Sequence, residues 1–198
     1  MRIVTWNVNS LKVRLLHLES LLKEHTPDFI CLQETKTEDQ NFLREEIEEL
    51  GYSVVYHGQK TYNGVAILSR EKMHDVQVGI PGLQDEQARV IAATSADGLR
   101  LINAYVPNGE STDSQKYQYK LKWLRAFVDF VLAEAAQCSE LVVLGDFNIA
   151  PKDQDVYDAE AFRGKVLCSK QERDLYQELL NSGLCDSLDE FLDGSERF

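Results

Sequence analysis

In the stretch Leu141-Val142-Val143-Leu144-Gly145-Asp146-Phe147-Asn148, a carboxylate and a carboxamide sit two positions apart at the end of an aliphatic run. If the backbone stays extended through Phe147, Asp146 and Asn148 point to one side of it. The same kind of ending recurs along the chain. Ile3-Val4-Thr5-Trp6 runs into Asn7 and Asn9, Phe29 to Gln33 runs into Glu34, and Leu101 to Ala104 runs into Tyr105. Each ending has an ordinary structural explanation. Asp146 and Asn148 can satisfy a turn, Glu34 can pair with Lys36 or cap a helix, and Tyr105 can be a rim aromatic with a wet hydroxyl. Four such endings in one chain point elsewhere. Strands lying side by side in one direction deliver these groups to one rim of a sheet, where open α/β sheets collect ligands. Carboxylate and amide oxygens suit a hard divalent cation, and the set lacks the thiols and paired histidines that zinc favours. Hydrolysis of a phosphodiester needs a carboxylate base, amide donors and Mg²⁺. The ion screens the phosphate, the carboxylate orients or deprotonates water, and the amide holds the developing charge.

The elements that must position these groups are legible as short apolar runs between helical patterns. Leu141 to Leu144 reads as a strand buried on both faces, stopped by Pro151. Arg2 to Asn9 and Asp28 to Gln33 are further strands, separated by a helix on which Leu11, Leu15, Leu18 and Leu22 recur at helical spacing. Ser10 is its candidate cap. Phe42 to Leu50 reads as an acidic helix ended by Gly51. Ser53–Tyr56, Gly64–Ser69, Val76–Ile80, Arg89–Thr94 and Leu99–Tyr105 read as a β-meander, with a hairpin signal at Asn63-Gly64. Ser114 to Ala136 is a long helix. Its Lys116, Lys120, Lys122 and Arg125, interleaved with Tyr117, Tyr119 and Trp123, form the most basic local patch, read as a solvated face. Lys152 to Lys165 is a polar loop whose Asp153, Asp155 and Asp158 lack the Gly and Glu of a calcium loop. Lys170 to Ser182 is a helix, and Leu184 to Leu192 a short acidic turn or helix.

Composition narrows the functional classes. The 198 residues fit one domain, or one domain and part of another, and 43% hydrophobic content supports a sizeable core. A formal net charge of −12 works against non-specific binding to DNA or acidic membranes. A nucleic-acid reading must therefore rest on a local basic surface, a metal ion or a basic segment outside this sequence. Cys31, Cys138, Cys168 and Cys185 form no Cys-x-x-Cys pair, so a reducing, cytoplasmic setting is expected. The chain enters a strand straight after Met1-Arg2, which leaves no room for a signal peptide. No apolar run approaches a membrane span, so no membrane partner is expected.

Taken in order, several blocks resemble the exonuclease III family of AP endonucleases, within the endonuclease/exonuclease/phosphatase superfamily. They are Trp6-Asn7-Val8-Asn9-Ser10-Leu11, Leu32-Gln33-Glu34-Thr35-Lys36, Tyr56-His57-Gly58-Gln59-Lys60, Gly64 to Ser69, Asn103 to Ser111, and Gly145-Asp146-Phe147-Asn148-Ile149-Ala150-Pro151. The resemblance implies one domain over residues 1–198 with a four-layer α/β/β/α sandwich (DNase I-like). It implies a Mg²⁺ site, with Mn²⁺ as the alternative ion, held by Asn7, Glu34, Asp146 and Asn148. Tyr105, Asp146 and Asn148 are the implied catalytic residues, and Asn9, Lys36, Tyr62, Arg89 and Asn108 the implied DNA contacts. The implied substrate is double-stranded DNA with abasic sites or 3′ ends, and the implied state a cytoplasmic, bacterial-type monomer acting in base excision repair.

One departure from the pattern matters. Family members run on past the position of Phe198, with an Arg-Ile-Asp-type strand and a closing Ser-Asp-His motif. The histidines here are His17, His25, His57 and His74, all in the first half. The chain is therefore read as C-terminally truncated, with its second sheet incomplete and its activity impaired. Two other readings stand beside a Mg-dependent DNA phosphodiesterase: a non-catalytic nucleic-acid-binding remnant, and a phosphatase of the same superfamily acting on a small phosphoester.

Overall fold

Short β-branched and aromatic runs form the strands, as their propensity dictates, and the computed structural model describes residues 1–191. The expected end of the last helical stretch at Leu192, and the residues after it, lie outside the described residues. Contacts gather into two units. One comprises Met1–Tyr105 and Gln137–Phe147; the other comprises Val106–Ala136 and the chain from Asn148.

The first unit holds both sheets. Strands β1 (Ile3–Asn7), β2 (Phe29–Gln33), β3 (Ser53–His57) and β4 (Val65–Ser69) form one, in the order β1-β2-β4-β3. Strands β5 (His74–Val78), β6 (Val90–Thr94), β7 (Arg100–Tyr105) and β8 (Leu141–Asp146) form the other, in the order β5-β6-β7-β8. Each is mixed. β1 and β2 are parallel, as are β7 and β8, and the remaining pairs are antiparallel. The meander is therefore divided between two sheets. The asparagine–glycine hairpin signal is met by Asn63 at φ 54° and Gly64 at φ 91°, the turn that returns β3 to β4.

Alternation along β2 and β4 explains the layering. Phe29, Cys31, Val65 and Ile67 face one way and meet Ile91, Ala93, Leu99 and Leu101 of the second sheet. Ile30, Leu32, Ala66 and Leu68 face the other way. They pack with Leu11, Leu18 and Leu22 of helix α1 (Leu11–His25) and with Ile47 of helix α2 (Arg44–Glu49). This is the expected α/β sandwich class, two mixed sheets face to face with α1 and α2 packed on the first. Within the apolar layer between the sheets lies one polar knot. Asn103, fully buried, donates from Nδ2 to the carbonyls of Leu32 and Ala66, both at 2.9 Å, and accepts from Gln33 Nε2 at 2.8 Å. Gln33 Nε2 also donates to the Cys31 carbonyl and to Thr5 Oγ1. Polar groups of both sheets are thus paired across the core.

β8 departs from expectation. It is half-buried along its length rather than buried on both faces, because it is an edge strand with β7 as its paired neighbour. β5, at the other edge, carries a register irregularity between His74 and Gln77, with Asp75 in a left-handed conformation at φ 48°. Ser10 does not cap α1 with its side chain. Its backbone sits at φ 97°, and its N–H donates to the Glu34 carbonyl at 2.8 Å instead.

The second unit is helical: α3 (Gln115–Ala135), α4 (Ala159–Phe162), α5 (Lys170–Asn181) and α6 (Ser187–Phe191). The expected polar loop thus contains α4 and a 3-10 turn at Asp153–Asp155. α3 packs against α5. Tyr117, Lys120, Trp123, Leu124, Phe127, Val128 and Val131 form its buried face. The reading of the basic patch as a solvated face holds for Lys116, Lys122 and Arg125, which are exposed, and is corrected at Lys120. Lys120 falls at helical spacing within the apolar stripe and is fully buried. Lys116 is paired with Glu110 at 2.7 Å, and Arg125 with Glu178 at 2.5 Å. Among the described residues, no helix is long and apolar enough to cross a membrane.

Replacing Asn103 by Leu removes the side-chain donor to two strand carbonyls and one of the acceptors of the Gln33 amide. This should cost about 2–4 kcal/mol, read as a lower urea midpoint at unchanged slope.

Candidate active site

Parallel pairing puts strand ends at a common rim. Asn7 of β1 is in register with Gln33 of β2, so Glu34, one residue on, stands beside it. Tyr105 of β7 is in register with Asp146 of β8. These four residues belong to two sheets rather than to one rim of a single sheet, and the sheets meet where edge strand β1 lies against edge strand β8. Asn7 closes that seam. Its Nδ2 donates to Glu34 Oε1 at 2.7 Å and to Asp146 Oδ2 at 2.9 Å, while its Oδ1 accepts from the Asn9 N–H at 3.1 Å. One carboxamide thus spans two carboxylates, the second of them 139 residues from Asn7 in the chain.

The backbone around Glu34 is held from two sides. Val8 N–H donates to the Gln33 carbonyl at 3.0 Å and Leu11 N–H to the Thr35 carbonyl at 3.1 Å, which extends the β1–β2 zipper past both strands. From the other side, Thr35 and Lys36 donate to the carbonyls of Gly64 and Asn63. Asn9, Glu34 and Lys36 all take left-handed conformations, at φ 43°, 54° and 52°. Such conformations cost non-glycine residues about 1–3 kcal/mol each and persist only where neighbours enforce them.

Electrostatics follow from the neighbours. Lys36 Nζ lies 2.9 Å from Glu34 Oε2 and also donates to Asn9 Oδ1. Burial pushes the Glu34 carboxyl upward. Hydrogen bonds from Asn7, Lys36 and Tyr105, with the Lys36 charge, outweigh it and hold the group below its ordinary range. Glu34 is therefore ionised. Burial, with the nearby carboxylate of Glu34, pushes the Tyr105 phenol up to about 12, so it is a proton donor across the physiological range. Arg89 lies over the Tyr105 ring at 4.8 Å, donates to the Tyr105 carbonyl at 3.1 Å, and is oriented by Gln87 at 2.9 Å. Tyr62 is mostly exposed.

Asn108 and Asn148 belong to the second unit. There Asn108 Nδ2 donates to Asn148 Oδ1 at 3.3 Å, and Asn148 Nδ2 to the Val106 carbonyl at 3.0 Å. Lys120 donates to the backbone carbonyls of both residues. Neither Gln87 nor Lys120 stood out among the site residues in sequence. For Lys120 the available signal was its place in the helical repeat of Tyr117 and Leu124.

The donor chemistry fits a hard divalent ion. Two carboxylates and amide groups meet without thiol or imidazole. Among the described residues, no group of three His, Cys, Asp or Glu gathers to form a metal cluster. The candidate set is thus one or two carboxylates with amide support, a composition that leaves room for water and phosphate oxygens.

The model of the Endonuclease/Exonuclease/phosphatase family matches residues 4–185. Exodeoxyribonuclease III of Haemophilus influenzae is 35% identical, over 94% of this chain and 74% of its own length. The structure of 3′ phosphatase NExo from Neisseria bound to product DNA hairpin is 49% identical, with a TM-score of 0.94 over 96% of this chain and 74% of that one. An AP endonuclease from Archaeoglobus fulgidus is 36% identical, with a TM-score of 0.91 over 99% of this chain and 76% of that one.

Gly145 immediately precedes Asp146 at φ 137°, and a Cβ there meets the Ala104 carbonyl oxygen at 1.9 Å. Gly145→Ala must therefore prise β8 from β7 beside the site. We expect about 3 kcal/mol of lost stability, measured by thermal melting, together with loss of the Asn7–Asp146 contact in a crystal structure of the variant.

Proposed function

The chain belongs to the endonuclease/exonuclease/phosphatase family, in its exonuclease III and AP endonuclease branch, and from that premise we propose how its residues hydrolyse DNA. The activity is that of a DNA-repair phosphodiesterase of the exonuclease III type, with DNA as partner and dependence on a divalent metal ion. The proposed substrates are duplexes carrying abasic sites or unfinished 3′ ends, and the proposed ion is Mg²⁺, with Mn²⁺ as a substitute. The observation that carries the reading is the bridge from Asn7 to both Glu34 and Asp146.

Glu34 and Asp146, with amide support from Asn7 and Asn148, are the residues that would hold the ion, which supplies charge neutralisation at the phosphate and the leaving oxygen. Asp146 orients water and takes its proton. Asn7 fixes the direction of both carboxylates, since its amide nitrogen faces them. The Tyr105 hydroxyl, kept protonated by its surroundings, donates to a phosphate oxygen. Asn148, in the second unit, is a further phosphate donor. Lys36, Arg89, Asn9, Tyr62 and Asn108 contact the DNA backbone. In a chain of net charge −12, Lys36 and Arg89 give the first unit's rim local positive groups without making the whole surface attractive to DNA. The four cysteines are free, which supports a reducing, cytoplasmic setting. The working state we propose is a monomer.

Incubation with an abasic-site duplex and Mg²⁺ should give cleavage on the 5′ side of the lesion, abolished by EDTA and restored by Mg²⁺. Glu34→Gln should lower the rate by about 10²–10³ or more, and Tyr105→Phe by about 10². Cleavage that survives EDTA and Glu34→Gln would refute the assignment. The 49% identity to a 3′ phosphatase favours a second reading in which the terminal phosphomonoester is preferred. A hairpin bearing a 3′-phosphate, assayed beside the abasic duplex, separates the two: faster turnover of the hairpin decides for end processing.

A further inference from the structure

The second unit contains a fully buried ion pair that the mechanism above does not use. Lys120 and Glu172 have no exposed side-chain surface, and Lys120 Nζ lies 2.5 Å from Glu172 Oε1. Desolvating two charges gains little net stability over well-packed apolar side chains, so retaining them calls for another account. The ammonium has three donors, and three acceptors converge on it: Glu172 Oε1, the Asn148 carbonyl at 2.6 Å and the Asn108 carbonyl at 3.2 Å. The last two belong to separate loops, one preceding α3 and one following β8. Their side chains meet at 3.3 Å. Asn148 is in a left-handed conformation at φ 48°, which requires outside support.

Glu172 is itself anchored. It closes a capping box at the start of α5, accepting from the Ser169 N–H and hydroxyl, and it also accepts from the Leu167 N–H at 3.1 Å. Gly109, directly after Asn108, leaves the space the lysine stem occupies, since a Cβ there would come within 3.0 Å of Lys120 Cδ.

We propose that Lys120, anchored by Glu172, is a positioning residue: its ammonium ties the Asn108 and Asn148 loops together and so sets the direction of both side chains toward DNA. This rests on the proposed roles of Asn108 and Asn148. A planar guanidinium cannot reproduce the three-way junction, and an apolar side chain fills the space without holding either carbonyl.

The test uses Lys120→Met and the double variant Lys120→Met with Glu172→Gln, which keeps the capping box while removing the lone buried charge. Lys120→Met alone should melt well below the parent chain. The double variant should recover most of that loss, yet still cleave the abasic duplex about 10²-fold more slowly. That deficit should lie in kcat, with KM changed by less than about threefold. Recovery of cleavage together with the melting temperature would overturn the proposal, since Lys120 would then be structural only. If the parent chain cleaves neither DNA substrate, the functional reading falls while this inference is still decided by NMR. Shifted side-chain amide signals of Asn108 and Asn148 in the double variant support it, and unchanged signals overturn it.

Discussion

The Asn103–Gln33 pair between the sheets is the constraint from which the site follows. Two face-to-face sheets joined by aliphatic contacts alone can slide, because apolar packing is not directional. Asn103 removes that freedom by donating to β2 and β4 at once while taking Gln33's amide hydrogen. It sits two residues before Tyr105, and Gln33 one residue before Glu34. The polar knot therefore lies directly beneath the rim where the reactive groups emerge. Register fixed in the core becomes ångström-scale placement at the surface, which is what reactive geometry demands.

The rim is assembled from elements that are individually weakly held. β1 and β8 are edge strands, and the loops after β1 and β2 contain left-handed asparagine, glutamate and lysine. The central strands β2, β4, β6 and β7 are almost entirely buried, and the reactive groups emerge only at strand ends: Tyr105 closes β7, Glu34 follows β2, and Asn7 and Asp146 close the half-buried β1 and β8. The backbone hydrogen bonds linking residues 8–11, 34–36 and 63–64 supply the enforcement that local propensity does not.

Much of this was legible in the sequence. The polar endings at Asn7, Glu34, Tyr105 and Asp146 stood out because a buried aliphatic run has no local reason to finish on a carboxylate, and parallel pairing then aligns such endings. Their division between two sheets was not readable from residue types, because pairing partners are chosen by tertiary packing. The family resemblance supplied the two-sheet sandwich, but not which ending belongs to which sheet. The half-exposure of β8 was missed for a related reason, since four aliphatic residues look alike at an edge and at a centre. Ser10 has the right residue type for a cap, but its N–H and left-handed backbone are committed to Glu34's carbonyl. Lys120 was misjudged because charge was weighed above periodicity. Its three acceptors lie 12, 28 and 52 positions away in sequence.

The irregular outer strand β5 has a consequence for how copies of this molecule behave together. An edge of a sheet is a template for another strand, and Val76 and Val78, both about half exposed, would make this one sticky. The break in register between His74 and Gln77, with the left-handed Asp75 and its side-chain contact to His74, spoils the flat ladder that a neighbour would need. The same few residues that look like a local defect thus guard the sandwich against growing sideways into fibrils.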